Sequence, residues 1–247
     1  MRAMILAAGL GTRLKPLTDK TPKALVKIQG ITLLELQIKK LKAEGFDKII
    51  INVHHFAAQI FKFLKENNNF GCEIKVSDES NLLLETGGGL KKASHFFSDG
   101  KPFLVYNVDI LSNIKLKKLF TAHKSSDSIA TLAVQDRKSS RKFLFDKDNI
   151  LCGWSNENTG EQIFAREADS ELGLLSFSGI QIIDPAIFKY FPDKDVFSLI
   201  ELYLEAARHE KIKGFVHNKD EIIDVGKIEN LKDAENFFEK FRNTYQV

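Results

Sequence analysis

The amino-acid sequence predicts an α/β fold with an open, mixed but mostly parallel sheet flanked by helices. Apolar runs of strand length alternate with helical patterns through the first half of the chain, and the connections between them are short. The strand candidates are apolar at successive positions, as is typical of strands buried on both faces. Repeated β-α-β units of this kind join into one sheet through right-handed crossovers.

The first half of the chain predicts strands and helices in alternation. Residues 3–8, AMILAA, form a short apolar run that stops at a glycine. Residues 33–45 carry leucine and isoleucine at near-helical spacing and end at Gly45, which predicts a helix. The same reasoning predicts strands at 47–53, 72–79 and 102–109, and helices at 57–67 and 86–97.

After Asp127 the pattern changes to short strands, predicted at 128–134, 142–146 and 173–183. Helices follow near 186–191 and 196–209, then a strand at 221–226 and a last helix that ends near Phe241. That helix has apolar residues at helical spacing, so we expect it to dock on the core or on a second subunit. No linker, repeat or low-complexity tract interrupts the chain. We therefore predict one domain, residues 1–247, made of the halves 1–127 and 128–247.

Composition excludes several classes of protein. Hydrophobic residues make up 43% of the 247, which excludes a disordered or fibrous chain. The net charge of +3 is spread along the sequence and predicts no nucleic-acid binding. Cys72 and Cys152 make no disulfide framework, and no CxxC or HxxxH pair offers a zinc site. No apolar run reaches the roughly 20 residues of a membrane span, and we expect no signal peptide and a cytoplasmic location.

A pair of glycines follows the first strand, at the sheet edge where α/β proteins bind ligands. Gly9 and Gly11 permit a tight turn whose backbone amides can hold phosphate oxygens. The alternative is a strand-to-helix turn that needs glycine only for its dihedral angles. Leu14 stands where a P-loop or a dinucleotide motif needs its last glycine, so neither of those motifs is present.

Charged residues lie near this turn and at two later strand ends. Arg13 can bind phosphate oxygens bidentately and Lys23 supplies a point charge, although a single such residue is more often a solvated surface charge. Asp109 and Asp224 each end an apolar strand. Two carboxylates at strand ends can converge on one hard cation, and the alternative for each is a helix cap or a turn.

The stretch LAAGLGTRLKPLTDKTPKAL closely resembles the signature of the sugar-1-phosphate nucleotidyltransferases, LAAGxGTRL followed by TPK. The resemblance continues through ETGGGLKKA (85–93), NVD (107–109), SFSGIQIIDPAIF (176–188) and IIDVGKIENL (222–231), and so spans nearly the whole chain. Within the family, the ETGGG and FSGI blocks look most like the N-acetylmuramate-1-phosphate uridylyltransferases of cell-wall recycling. Mannose- and heptose-1-phosphate guanylyltransferases come close behind.

This resemblance implies a Rossmann-like nucleotidyltransferase fold and a Mg²⁺-dependent enzyme. The enzyme would transfer a nucleotidyl group from a nucleoside triphosphate to a sugar-1-phosphate and release pyrophosphate. UTP and N-acetylmuramate 1-phosphate are the expected substrates, with a mannose- or heptose-1-phosphate guanylyltransferase as the alternative. A cytidylyltransferase acting on a phosphorylated alcohol and, in another class, a non-catalytic nucleotide-sensing protein remain open. The half 1–127 would bind the nucleotide and the half 128–247 the sugar.

The resemblance also implies roles for individual residues. Arg13 would bind the β- and γ-phosphates, and Lys23 the α-phosphate or the sugar phosphate. Asp109 and Asp224 would hold the magnesium ion, and Ser178 and Gly179 would contact the sugar. The implied nucleotide-binding set is Leu6, Ala7, Ala8, Gly9, Gly11, Thr12, Arg13, Lys23, Gly87, Gly88 and Asn107.

The sequence departs from the family pattern in two places. Relatives usually have glycine before the first metal aspartate, where this chain has Val108, whose branched side chain restricts the backbone and narrows a pocket. Many relatives also carry a Glu-Lys pair that contacts the sugar, and no such lysine is evident within residues 153–162. Trp154 in that stretch either stacks on a sugar or packs in the core.

Overall fold

The computed structural model of the protein describes residues 1–167 and 171–246. The chain divides into two compact units. Unit 1 consists of Met1–Glu85, Val105–Ile114 and Asp220–Val247, and unit 2 of Thr86–Leu104 and Lys115–Lys219. Among the described residues, no helix has both the length and the apolar character needed to cross a membrane.

Strands and helices alternate along much of the chain. The strands are β1 (Arg2–Leu6), β2 (Lys27–Ile28), β3 (Ile31–Thr32), β4 (Lys48–Val53), β5 (Glu73–Asp78), β6 (Phe103–Asn107), β7 (Ile110–Ser112), β8 (Ala130–Gln135), β9 (Arg141–Phe145), β10 (Leu151–Asn156), β11 (Glu161–Phe164), β12 (Gly173–Ile183), β13 (Ile212–Val216) and β14 (Ile222–Asp224). The helices are α1 (Leu33–Ala43), α2 (Ala57–Glu66), α3 (Glu85–Ala93), α4 (Leu116–Lys124), α5 (Leu199–Ala207) and α6 (Leu231–Phe241).

Unit 1 is built on three parallel strands. β4 lies between β1 and β5, with Ile5 beside Ile51 and Ile51 beside Val76. Almost every residue of β1 and β4 is buried, which is why both strands are apolar at successive positions. The carboxyl ends of these strands therefore meet at one edge, and the glycine turn leaves β1 at that edge.

Local sequence fixes the ends of the first helix. The Thr32 hydroxyl accepts a hydrogen bond from the Glu35 amide at 3.1 Å, which is one half of a Thr-x-x-Glu capping box. At the other end the chain reverses at Gly45, whose φ of 85° favours glycine. The helix predicted over 33–45 is thus present over Leu33–Ala43.

A two-stranded antiparallel ribbon completes unit 1. It pairs β7 with β14 and places Ile110 opposite Asp224. Helix α6 follows β14 and buries Phe237 and Phe238. The last helix of the chain therefore docks on the core of its own unit, as one of the two predicted alternatives has it.

Unit 2 is a mixed sheet with helices. β8 pairs with β12 in antiparallel orientation and with β13 in parallel orientation, and β12, β9, β10 and β11 continue as antiparallel neighbours. The register of β12 against β8 shifts between Phe177 and Gln181, around Gly179, whose φ is 71°. This bulge lies in the FSGI block.

The predicted α/β fold with a mixed sheet is confirmed. The short strands β2, β3, β7, β10, β11 and β13 and the helix α4 were not predicted. The single domain with halves 1–127 and 128–247 stays a prediction. The two compact units follow another division, because residues 220–247 return to unit 1.

Candidate functional site

The turn after β1 leaves backbone amides open. Among the described residues, no hydrogen bond engages the amides of residues 8–12. A Cβ built on Gly9 would have nothing within 4 Å, so the space beside the turn is empty. Gly11 has a φ of 67°, and the Thr18 hydroxyl donates to its carbonyl at 2.8 Å, which closes the turn. Open amides and empty space are what a phosphate cradle needs, and the cradle predicted over Leu6 to Thr12 stays a prediction.

Lys23 reaches its position through the proline before it. Pro22 has an extended backbone and begins the 3₁₀ turn Lys23–Leu25, in which the Leu25 amide donates to the Pro22 carbonyl at 2.8 Å. The Lys23 ammonium forms an ion pair with the Asp109 carboxylate. Only 14% of the Lys23 side chain and 13% of the Asp109 side chain are exposed, so this pair is shielded from bulk water.

The β7–β14 ribbon brings the two aspartates to the same place. The Val225 amide donates to the Asp109 carbonyl at 2.8 Å, which joins the strand ends that carry both carboxylates. Asp224 is fixed further, because its Oδ1 accepts from the Gly226 amide at 2.8 Å and its carbonyl accepts from Asn230 Nδ2 at 2.7 Å.

Gly226 marks the point where the charged residues converge. A Cβ built there would lie 2.7 Å from Asp224 Oδ1, 3.0 Å from Arg13 Nη2 and 3.1 Å from Asp109 Oδ2. A side chain at this position would have to push the ends of these charged side chains aside. With Lys23 bound to Asp109, the four residues implied as catalytic lie together in unit 1.

These residues suit a magnesium ion. Mg²⁺ binds oxygen ligands and usually takes one or two protein carboxylates, keeping its other positions for water and phosphate. Asp109 and Asp224 supply such a pair beside the space at Gly226. Within residues 1–167 and 171–246, no cluster of three or more His, Cys, Asp or Glu side chains is arranged to hold a metal.

A buried amide behind the turn was not predicted. Asn52 Oδ1 accepts from the Ala7 amide at 2.8 Å, and Asn52 Nδ2 donates to Glu79 Oε1 at 2.8 Å. Asn52 and Glu79 are 2% and 1% exposed. Ala7, which the resemblance implies as a nucleotide-binding residue, thus has its amide occupied by protein. The polar residues at the ends of β4 and β5 are the sequence signal that could have found this pair.

The segment around Val108 is part of the core of unit 1. Val108 is 2% exposed, and its amide donates to the Leu6 carbonyl at 3.1 Å. Leu6 itself is 8% exposed. The Leu6 side chain is therefore packed, and any contact of Leu6 with a nucleotide would come from its backbone. Asn107 is half-buried at the end of β6.

Gly87 and Gly88 lie in the first turn of helix α3, in unit 2, and their amides are occupied. Both donate to the Phe197 carbonyl, at 2.9 and 3.1 Å. A Cβ on Gly87 would lie 2.5 Å from Phe197 Cδ2, so glycine is required here for close packing. Their implied role in nucleotide binding, through contact with the base, stays a prediction.

Ser178 and Gly179 occupy the bulge of β12 in unit 2. Ser178 has no exposed surface, and its Oγ lies 2.8 Å from Nε2 of His217. Burial, with the charge of Arg137, lowers the pKa of His217 to about 4, so this imidazole is neutral at pH 7. Any sugar contact by this segment would therefore come from its backbone, and the predicted role stays a prediction.

Trp154 lies at a separate cavity in unit 2. It is 9% exposed and lines an open cavity of about 840 Å³ together with Tyr190, Phe191 and Arg208. Trp154 is therefore packed, as one of the two predicted alternatives has it, and its stacking on a sugar stays a prediction.

Comparison with known proteins places the chain among enzymes that activate sugars. The family model described as nucleotidyl transferase matches residues 2–143. The chain is 31% identical over 235 residues to the N-acetylmuramate alpha-1-phosphate uridylyltransferase of Neisseria meningitidis serogroup B, covering 95% of this chain and 97% of that protein. It is 29% identical to the UTP--glucose-1-phosphate uridylyltransferase of a Synechocystis species, covering 92% of this chain but only 61% of that longer protein.

Solved structures agree with this placement. The structure of HddC from Yersinia pseudotuberculosis complexed with GMP-PN is 26% identical, with a TM-score of 0.76, and the match covers 96% of this chain and 99% of that one. A putative glucose-1-phosphate thymidylyltransferase from Bacillus anthracis is 17% identical with a TM-score of 0.78, covering 96% of this chain and 94% of that one. At that identity the likeness concerns the fold alone.

Proposed function

We propose that this chain joins UTP to N-acetylmuramate 1-phosphate and releases pyrophosphate. The chain belongs to the nucleotidyl transferase family and is a sugar-1-phosphate nucleotidyltransferase. The observation that carries the reaction is the convergence of Arg13, Asp109 and Asp224 around Gly226, with Lys23 paired to Asp109. A reaction between two polyanions needs cations that hold them together, and little else from the protein.

The glycine turn and Arg13 would hold the triphosphate. The amides of residues 8–12 are open donors, and the space beside Gly9 admits a ligand close to the backbone. Arg13 is exposed next to that turn, and its planar guanidinium can bind two phosphate oxygens at once. Placed on the β- and γ-phosphates, it would stabilise the negative charge that gathers on the departing pyrophosphate.

Asp109 and Asp224 would hold Mg²⁺. When bound, the ion would neutralise phosphate charge and so reduce the repulsion between the two substrates. Lys23 is already held at Asp109, so its ammonium would lie beside the same phosphates. Its charge would orient the α-phosphate or the phosphate of the sugar.

The chemical step is an in-line displacement at phosphorus. A phosphate oxygen of the sugar-1-phosphate forms the new bond to the α-phosphorus, while the bond from that phosphorus to the bridging oxygen of the β-phosphate breaks. The electron pair leaves with pyrophosphate, and the product is the sugar joined through a diphosphate to the nucleoside. No covalent nucleophile of the protein is needed, so the residues act by position and charge.

The choice of substrate rests on the length of the relatives. The Neisseria protein named as an N-acetylmuramate alpha-1-phosphate uridylyltransferase is matched over 97% of its length. A second such protein, from Caulobacter vibrioides, is 31% identical and is matched over 86%. Since N-acetylmuramate is a cell-wall sugar and UTP a cytoplasmic metabolite, the proposal includes a cytoplasmic role in reuse of cell-wall material.

A guanylyltransferase is the second candidate. The HddC structure, which carries GMP-PN, is matched over 99% of its length. The mannose-1-phosphate guanylyltransferase 1 of Arabidopsis thaliana is 30% identical, but only 51% of it is matched. The two candidates differ in nucleotide and in sugar, so turnover measured over both substrates distinguishes them.

The test is pyrophosphate release, measured with and without Mg²⁺, over a grid of substrates. UTP, GTP, CTP and dTTP form one axis, and the 1-phosphates of N-acetylmuramate, mannose, heptose, glucose and N-acetylglucosamine the other, with phosphocholine added. Turnover confined to UTP with N-acetylmuramate 1-phosphate would support the proposal, and a dominant GTP row would replace it by the second candidate. Asp109→Asn should abolish turnover, while the control Asp127→Asn, at an exposed ion pair of unit 2, should not.

A further inference from the structure

In the part of the chain that the structure describes, the edge of β7 that faces away from β14 forms hydrogen bonds with side chains and not with another strand. In an antiparallel pair, alternate residues bond to the partner strand and the others face away. The carbonyl of Asp109 and the amide of Asn113 bond to the β14 side, through Val225 and Glu221. Residues 110, 112 and 114 therefore point their backbone groups to the other edge.

Three buried side chains meet that edge, one at each of these residues. Gln37 Nε2 donates to the carbonyl of Ile110. The Tyr245 hydroxyl accepts from the Ser112 amide at 2.8 Å and donates to the Ser112 carbonyl at 3.2 Å. Lys40 Nζ donates to the Ile114 carbonyl at 2.9 Å.

These contacts come from two parts of unit 1 that are distant in sequence. Gln37 and Lys40 are three residues apart on α1 and so share one face of that helix. Tyr245 comes from the 3₁₀ turn after α6, and the Lys40 ammonium lies 5.8 Å from the centre of its ring. We name Gln37, Lys40 and Tyr245 the edge clamp.

The edge clamp is shielded from water. None of its three side chains has exposed surface. Burial raises the pKa of Tyr245 well above its ordinary value, so its hydroxyl keeps the proton that it donates to Ser112. A buried backbone amide or carbonyl that loses its hydrogen-bond partner carries the full cost of its desolvation. The strand β7 would therefore move until the group finds another partner.

We propose that the edge clamp is a set of positioning residues, which hold β7 so that Asp109 and Asp224 stay at the distance that one metal ion requires. The inference rests on the proposed function, because it takes these aspartates as the metal carboxylates. The edge clamp touches neither substrate nor metal. It acts through the ribbon, since β7 begins directly after Asp109 and β14 ends at Asp224.

The experiment compares Tyr245→Phe with Tyr203→Phe. Both remove one hydroxyl from a fully buried tyrosine, but the Tyr203 hydroxyl has no hydrogen-bond partner among the described residues. Two quantities are measured for each full-length variant: kcat and KM as the Mg²⁺ concentration is varied, and the Kd of Mn²⁺ alone by electron paramagnetic resonance. Lys40→Met is the second test variant, and decides by the same readouts if Tyr245→Phe does not fold.

We expect Tyr245→Phe to lower kcat about tenfold and to weaken Mn²⁺ binding about tenfold, the lower end of the range for removing a residue that orients metal ligands, while KM for the nucleotide stays within twofold. Tyr203→Phe should change neither kcat nor Mn²⁺ binding. A folded Tyr245→Phe protein with both values within twofold of the unmodified chain would overturn the inference. If the unmodified chain turned over no substrate pair, the proposed function would fail, and weaker Mn²⁺ binding in Tyr245→Phe would still support the edge clamp.

Discussion

The space beside Gly9 is empty, whereas the same space beside Gly87 is filled by the ring and the carbonyl of Phe197. The two segments also differ in their amides, which are open in residues 8–12 and bonded to Phe197 at Gly87 and Gly88. Both look alike in the sequence, as glycines beside a polar stretch. A glycine can therefore leave space for a ligand, or it can allow another part of the protein to pack closely against the backbone. The contacts of an added Cβ distinguish these uses.

The largest effect is expected for Arg13→Ala, which tests whether the open turn handles phosphate. Loss of one charged donor to a developing negative charge lowers kcat by about 10² to 10³. Because Arg13 is exposed, its loss should change the free energy of unfolding by no more than about 0.5 kcal/mol. Steady-state pyrophosphate release and urea denaturation check the two values. The control is Arg208→Ala, an exposed arginine of unit 2, and equal activity in both variants would contradict the comparison.

Gly87→Ala tests the packed segment. The new methyl group would lie 2.5 Å from Phe197 Cδ2 and 2.8 Å from the Phe197 carbonyl oxygen, so the backbone must move. We expect the free energy of unfolding to fall by about 1 to 3 kcal/mol, the usual cost of overpacking. Urea denaturation measures it, and an unchanged midpoint with an unchanged slope would show that the close contact is not required.

Gly9→Ala is the matched change in the open turn. Nothing lies within 4 Å of the new methyl group, and the φ of Gly9 is outside the left-handed region, so stability should stay within about 0.5 kcal/mol. The methyl group would occupy space that the triphosphate needs. We expect KM for the nucleotide to rise about tenfold, which corresponds to about 1.4 kcal/mol. A normal KM would mean that the empty space serves no ligand.

Thr86→Val tests whether residues 86–88 only pack, and it is expected to have the smallest effect. The Thr86 hydroxyl accepts from the Leu199 amide at 2.9 Å, so its loss should cost about 0.5 to 1.5 kcal/mol of stability. KM for the nucleotide should stay within twofold if residues 86–88 only pack. A selective rise in KM would instead favour the predicted contact of Gly87 and Gly88 with the base.

The sequence was sufficient to identify candidate site residues that lie close together in the chain or at the end of a strand. Arg13 and Lys23 lie close to the glycine turn, and Asp109 and Asp224 end apolar strands, so each was a candidate, but only the resemblance to the family implied their roles. The structure adds that these four residues lie together, around Gly226. Their roles as ligands of nucleotide and metal stay predictions.

The remaining features depend on partners that are distant in the chain. Asn52 binds the Ala7 amide only because the register of β4 beside β1 puts it there. Tyr245 meets Ser112 only because α6 returns the chain to that edge. The sequence pattern also did not predict the strands β10 and β11, because much of the stretch 153–162 is polar, which is typical of a loop. Their pairing, with Trp154 beside Ile163, decides its structure.

The interleaved composition of unit 1 sets the order in which a ribosome can complete the site. Arg13 and Lys23 leave the exit tunnel first, and Asp109 follows after the first part of unit 2. Asp224 and Tyr245 belong to Asp220–Val247, which is synthesised after all of unit 2. A nascent chain therefore carries the cationic turn without the second carboxylate while all of unit 2 is synthesised. The acidic pair and the contacts that hold its ribbon can form only after unit 2 has been synthesised.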